Sequence, residues 1–154
     1  MLLTLIIWIG GIIFFAFVLA PTLFGVLPTT KLAGDVVNAT LGKLHWIGLV
    51  CGVIFLTASL FYNWQKHGQM RTFTIAHFFV VLMLALTAYS QFGIMPRMRE
   101  IRARIDNLRV HPAWDDTVYS EFSIEHKLST WVEGGVLLLG IGVVGLTGKR
   151  FESR

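Results

Sequence analysis

The chain has 154 residues, of which 55% are hydrophobic and only 14% are charged. This composition is too apolar and too poor in charge for a soluble domain of this size, so it predicts an integral membrane protein. The formal net charge of +4 does not indicate nucleic-acid binding, because the basic residues flank apolar segments as membrane-interface anchors do. The single cysteine, Cys51, excludes disulfides and iron–sulfur clusters within one chain.

Four apolar segments are each long enough to cross a bilayer, which takes about 20 residues. They cover residues 2–27, 44–64, 72–95 and 126–147. The length predicts one membrane domain over residues 1–154, an all-α four-helix bundle connected up-down-up-down. The faces at Gly11 and at the Gly48/Gly52 pair are suited to close helix packing, and we expect them inside the bundle.

Proline and arginine residues predict two further features. Pro21 lies inside the first span and is expected to bend it, because proline lacks a backbone N–H. After the third span, apolar residues recur at helical spacing while the other faces are basic, which predicts an amphipathic interfacial helix over residues 97–108. Four arginines would anchor this helix at phospholipid headgroups: Arg97, Arg99, Arg102 and Arg104.

The distribution of basic residues gives a prediction of orientation. Four spans place both termini on one side of the membrane and the two longer loops on the other. Of the 13 Lys and Arg residues, eight fall on the loop side and five on the terminal side. The positive-inside rule therefore favours cytoplasmic loops and external termini, in a plasma membrane or, in a bacterium, the inner membrane.

The start of the fourth span carries the main functional candidates. His126, Ser129 and Glu133 lie on one face of the predicted helix, and Glu133 is the one ionisable residue of the apolar segment that follows. A carboxylate inside a span costs a few kcal/mol, so it should face protein, water or a ligand. The structural alternative is a protonated Glu133 that is hydrogen-bonded to Gln91 or Ser129.

Polar residues from several spans should meet near this carboxyl group. Because alternate spans run in opposite directions, Pro21, His45, Gln91 and His126 all fall in the same half of the membrane. We expect one polar pocket on the loop side, formed by His45, Gln91, His126, Ser129 and Glu133. His77 lies in the opposite half and is expected to be a packing residue rather than a ligand.

The first and third spans end in similar sequences, which suggests an internal duplication, with coincidence as the alternative. The first span ends Phe24-Gly25-Val26-Leu27-Pro28, and the third ends Phe92-Gly93-Ile94-Met95-Pro96. Each is followed by a loop and a span that opens with a histidine, His45 or His126. A true duplication would make two related hairpins.

These residues leave several functions open. His45 and His126 are interfacial histidines, or ligands of a metal ion together with Glu133, or axial ligands of haem iron. The leading hypothesis is a protein that binds or passes a metal ion or a small cationic compound. The alternative is an accessory subunit of a larger membrane complex, with haem or a related tetrapyrrole on the two histidines. The lipid bilayer is the expected partner, and a homo-oligomer stays open.

Enzymatic chemistry has the least support from the sequence. It contains no set of nucleophile, base and orienting residue and no phosphate-binding loop. A redox cofactor would have to supply such chemistry.

The pattern Gly10-Gly11 with Pro21, Phe24 and Pro28, followed by Ala33-Gly34, resembles the transmembrane-protein-205-like family of small four-span proteins. The later patterns Pro96-x-x-Arg99 and Phe122-x-x-x-His126-x-x-Ser129 resemble the same family's second half. This resemblance implies a link to drug or metal-compound resistance and a distant likeness to copper-resistance D membrane domains. The chain departs from the family at Glu133, where the family usually has asparagine.

Overall fold

A computed structural model of the chain describes residues 2–67, 75–110 and 116–152. These residues are almost entirely helical, and no strand occurs among them. The elements, in chain order, are α1 (Leu2–Phe14), the π-helical segment π1 (Phe15–Leu19), α2 (Ala20–Val26), α3 (Thr30–His67), α4 (Ile75–Tyr89), the π-helical segment π2 (Ser90–Ile94), α5 (Met95–Val110) and α6 (Asp116–Glu152).

The elements join into four long helices, because α1 continues through π1 into α2 and α4 continues through π2 into α5. Each long helix contains a segment that is long and apolar enough to cross a membrane: Leu2–Val26, Thr30–Tyr62, Ile75–Asn107 and Ser120–Gly148. The predicted all-α class is therefore confirmed, with four helices that are long and apolar enough to span a membrane, as in an integral membrane protein.

Helix α3 begins well before the predicted second span. Thr29 caps its first turn, where the backbone N–H of Leu32 donates to Thr29 Oγ1 at 3.2 Å. At a rise of 1.5 Å per residue, the 38 residues of α3 span about 57 Å, which is nearly twice the roughly 30 Å hydrocarbon core of a bilayer. Helix α3 therefore extends beyond the membrane.

The predicted interfacial helix over residues 97–108 is the continuation of the third membrane helix. Pro96 does not interrupt it, since a proline near the start of α5 follows π2, where the helical hydrogen bonds are already displaced. Met98 and Ile101 are buried, and Met98 packs in one cluster with Val132 of α6. Residues 72–74 of the predicted third span lie outside the described residues.

The main core is built from α1, α3, α4 and α6, and its packing is closest where α1 meets α3. Trp8 is 1% exposed, and a Cβ placed on Gly48 would lie 2.3 Å from its Nε1 atom. A Cβ on Gly52 would lie 2.8 Å from the same ring, and one on Gly11 would lie 2.8 Å from Leu44. The prediction that these glycine faces are inside the bundle is confirmed.

Because Gly48 lies so close to the Trp8 ring, a single methyl group added there should change the free energy of unfolding. We expect Gly48→Ala to lower the free energy of unfolding by about 1–3 kcal/mol, because the buried Trp8 ring must move to admit it. Gly145→Ala on α6 is the control, since nothing lies within 4 Å of the added Cβ, and it should leave stability unchanged or slightly raised. Denaturant unfolding in micelles, followed by circular dichroism, measures both. Equal stability of the two variants would contradict this packing.

Cross-paired charges join the start of α3 to α5. Lys31 Nζ lies 2.9 Å from Asp106, and Arg102 Nη1 lies 3.0 Å from Asp35. Lys31 and Asp35 are one helical turn apart, as are Arg102 and Asp106, so the two helices run in opposite directions here. A Cβ on the buried Gly34 would lie 3.2 Å from the Arg102 guanidinium, so the side chain of Arg102 approaches α3 closely here.

Most of the predicted headgroup-anchoring arginines form ion pairs within the protein. Besides Arg102, Arg97 lies 3.2 Å from Glu125 of α6, and Arg104 contacts Glu100 and Glu121. Of the four, Arg99 alone makes no ion pair with the described part of the chain. Their contact with phospholipid headgroups stays a prediction.

Each π-helical segment ends two residues before a proline, Pro21 after π1 and Pro96 after π2. The distortion predicted at Pro21 is thus a π-helical segment in the preceding turn. The two endings compared in the sequence differ in structure, because Pro28 lies between α2 and α3 whereas Pro96 lies inside a continuous helix. The structural correspondence is therefore between Pro21 and Pro96.

Candidate functional site

His45 connects three elements in the interior of the bundle. Its side chain is 2% exposed. Its Nδ1 lies 3.0 Å from Gln91 Oε1 of π2, and its Nε2 lies 2.5 Å from Glu133 Oε1 of α6. A buried imidazole with a partner on each nitrogen has its hydrogen-bonding capacity filled. We call His45, Ser90, Gln91 and Glu133 the buried polar cluster.

The π-helical segment supplies two adjacent members of this cluster. Ser90 is fully buried, and its hydroxyl donates to Glu133 Oε1 at 3.4 Å. Gln91, the next residue, contacts His45. The wider turn of a π-helix changes the directions of successive side chains, and such segments are frequent at functional sites. Consecutive residues can thereby reach both members of the histidine–carboxyl pair.

The two contacts of His45 fit two neutral arrangements of this pair. If Glu133 is ionised, His45 is an imidazolium that donates to the carboxylate through Nε2 and to Gln91 through Nδ1. If Glu133 is protonated, its O–H donates to Nε2 and the neutral ring donates through Nδ1. Both arrangements contain one proton between Nε2 and Oε1 and carry no net charge. An apolar surrounding tolerates a neutral pair far better than a single charge.

A cavity of about 860 Å³ lies beside the buried polar cluster. Residues from the first helix, from the start of α3, from α5 and from α6 line it, and most of the wall is apolar. Four phenylalanines contribute to the wall: Phe15, Phe17, Phe24 and Phe122. Glu133 is also part of the wall, and its side chain is 17% exposed.

The ion pairs between α3 and α5 line one part of the same cavity. Lys31 and Asp106 pair there, and Arg102 pairs with Asp35. The Arg102 guanidinium also lies 5.6 Å from the centre of the Phe122 ring, within the range of a cation–π contact. The charges in this part of the wall therefore balance one another.

The five predicted site residues fall into two groups that share Glu133. His45 and Gln91 hydrogen-bond within the buried polar cluster. His126 and Ser129 line the cavity, and His126 is exposed and stacks in parallel on Phe122, with ring centres 6.1 Å apart. No contact joins His126 to His45 within the described residues. The two histidines thus lie in different environments.

These contacts do not fit a metal or haem site. Among the described residues, no three His, Cys, Asp or Glu side chains converge closely enough to hold a metal ion. Both ring nitrogens of His45 already have partners, whereas an axial ligand of haem needs one nitrogen for the iron. We therefore derive no chemistry from metal or haem.

His77 lies in the core, as expected for a packing residue. Its Nε2 lies 2.8 Å from the hydroxyl of Ser59, and its ring lies against Phe55. Sequence reasoning did not select Ser90 for the site, and it predicted a polar pocket where the structure has a mostly apolar cavity. The signal for Ser90 was its position next to Gln91 and ahead of Pro96, where a distorted turn brings both side chains to the cluster.

Residues 3–107 match a family model described as Domain of unknown function (DUF4149). The chain belongs to this family. The match includes His45, Ser90 and Gln91 and ends before Glu133, so the DUF4149 region contributes only part of the buried polar cluster. A search of curated proteins and a search of solved structures found no match.

Proposed function

We propose that this DUF4149 protein binds a small organic cation with an apolar body in the cavity, with Glu133 next to the positive charge. The observation that carries the proposal is a carboxyl group in a predominantly apolar wall. A volume of about 860 Å³ is within the range of drug-binding pockets, which are mostly apolar with few polar groups. The role would be one of resistance or transport.

The charges in the wall favour a cation over an anion. Asp35 and Asp106 are neutralised by Arg102 and Lys31, so these groups add no net charge. Among the described residues, both hydrogen bonds of Glu133 fall on Oε1, which leaves Oε2 outside them. The phenylalanine faces of the wall also attract cations through their π electrons.

An organic cation is better supported than a metal ion. A dehydrated metal ion requires several ligand atoms around it, whereas a lipophilic cation needs apolar surface and one opposite charge. The resemblance to the transmembrane-protein-205-like family, with its implied link to resistance, is compatible with this proposal.

The first helix offers a route of entry from the lipid. None of the residues of π1 or α2 is buried, and several of them line the cavity. An amphiphilic compound that is already dissolved in the bilayer could therefore approach between this helix and α6. This route matches the apolar character of the wall.

The proposal includes an arrangement in the membrane. The helices are connected up-down-up-down, the cavity opens toward the loop side, and the loops face the cytoplasm. The exposed basic face of residues 97–108, with Arg99, lies at the headgroups, and the membrane is the plasma membrane or a bacterial inner membrane. The excess of basic residues on the loop side supports this orientation.

Tetraphenylphosphonium and tetraphenylborate test the proposal, because they have the same shape and opposite charge. We expect saturable binding of radiolabelled tetraphenylphosphonium to the purified protein in equilibrium dialysis. Tetraphenylborate should not compete for this site. Glu133→Gln should weaken binding at least about tenfold, since it removes the charge and keeps the size of the side chain.

Glu100→Gln is the matched control, because it makes the same chemical change on the exposed face of α5, away from the cavity. It should bind like the unaltered protein. Equal affinity of the Glu133→Gln variant, or equal competition by tetraphenylborate, would contradict the proposal. A haem absorption band that is lost in His45→Ala would also overturn it, in favour of a tetrapyrrole site.

A further inference from the structure

The histidine–carboxyl pair at the cavity wall points to an exchange of ligands. We propose that a cation bound next to Glu133 displaces one proton from the His45–Glu133 pair into solution. This inference rests on the proposed cation-binding function. It identifies the proton as the second ligand of the same site.

The first step concerns the empty cavity. The pair is joined by a 2.5 Å contact between Nε2 and Oε1 and contains one proton there. Without that proton, an imidazole lone pair would face a carboxylate oxygen, and the cluster would carry one negative charge inside the membrane. Both effects are unfavourable at a site where His45 is 2% exposed. The empty site therefore retains its proton.

The second step concerns the occupied cavity. A cation next to Glu133 is attracted by the carboxylate and repelled by the imidazolium on its other side. Loss of the proton removes this repulsion and leaves the cation to balance the carboxylate. The neutral ring still donates from Nδ1 to Gln91, so the departing proton breaks one hydrogen bond of the cluster and keeps the other. Cation and proton thus compete for one negative charge.

Apart from His126, the groups around the pair in the described cavity wall are uncharged or already paired, so we assign the exchanged proton to the pair. The first helix contributes no titratable side chain, because Leu2–Val26 contains no acidic or basic residue and no cysteine, histidine or tyrosine. From α3 and α5, the charged residues of the cavity wall are Lys31, Asp35, Arg102 and Asp106, which pair with one another. From π2, Ser90 and Gln91 contribute uncharged side chains. From α6, His126 is the other titratable group in the wall.

The consequence is a one-for-one exchange in which the total charge of the site does not change. Linkage requires that the cation lowers the affinity of the site for the proton and that the proton lowers its affinity for the cation by the same factor. A proton gradient across the membrane could then drive the cation in the opposite direction.

Isothermal titration calorimetry with tetraphenylphosphonium tests the exchange, using two buffers of different ionisation enthalpy at the same pH. We expect about one proton to be released per cation bound, and we expect affinity to fall about tenfold for each unit of decreasing pH while the pair is protonated. His126→Asn should release the same number of protons. Glu133→Gln should release none with its residual binding.

The outcomes separate this inference from the function on which it rests. Saturable binding without proton release, and with the same affinity at each pH, would overturn the exchange and leave the cation site in place. Absence of binding would overturn both. Proton release that disappears in His126→Asn would assign the exchange to His126 and contradict the role of the buried pair.

Discussion

Replacing His45 by alanine is expected to lower the free energy of unfolding by about 3–5 kcal/mol. The variant leaves Glu133 with Ser90 as its remaining partner among the described residues, because the 2.5 Å contact with His45 is lost. Gln91 loses its partner on the ring as well. Denaturant unfolding in mixed micelles measures this change.

The matched control is the same substitution at the other predicted histidine. His126 is exposed and stacks on Phe122, so His126→Ala should change stability by no more than about 0.5 kcal/mol. A double-mutant cycle with Glu133→Ala should give a coupling of about 1–3 kcal/mol for the His45 pair, because each single variant leaves a buried partner unsatisfied. Similar losses at both histidines would refute the division into a buried and an exposed site.

Replacing Gly134 by leucine is expected to reduce tetraphenylphosphonium binding by at least about tenfold without loss of stability. Gly134 lines the cavity next to Glu133, and nothing lies within 4 Å of a Cβ added there. The new side chain should therefore enter the space that the ligand needs, and overpacking of a filled site costs about 1–3 kcal/mol. Leucine also favours a helix more than glycine does.

Gly145→Leu is the control for this experiment. It lies on the same helix, is exposed, and has equally open space around its Cβ, but it is not part of the cavity wall. Its binding should match that of the unaltered protein in equilibrium dialysis. Unchanged binding in Gly134→Leu would place the cation outside this cavity.

The sequence predicted the membrane helices and part of the candidate site for one physical reason. Lipid offers no partners to polar groups, so Glu133, His45 and Gln91 had to turn inward, and they do so in the structure. The same reasoning did not separate His126 from them, because a residue near the end of a span can also face water.

The other features of the fold and of the candidate site depend on contacts that a single sequence does not reveal. Lys31 and Asp35 look like parts of a short surface segment until their partners on α5, which connect the start of α3 to that helix, are known. The π-helical segments were also not predicted, since proline indicates a distortion but not its form. The cavity is lined by residues from four helical segments far apart in the chain, which no local pattern encodes.

The contacts between α3 and the third membrane helix restrict how these two helices can slide along each other. Asp35 and His45 are ten residues apart on α3. Their respective partners, Arg102 and Gln91, are eleven residues apart on the third membrane helix. These two contacts therefore lie about 15 Å apart along both helix axes, with Leu41, Met95 and Met98 of the cavity wall between them. A shift by one helical turn would break both contacts together. The register of the two helices is therefore held at two points, and the cavity wall between these points keeps its shape.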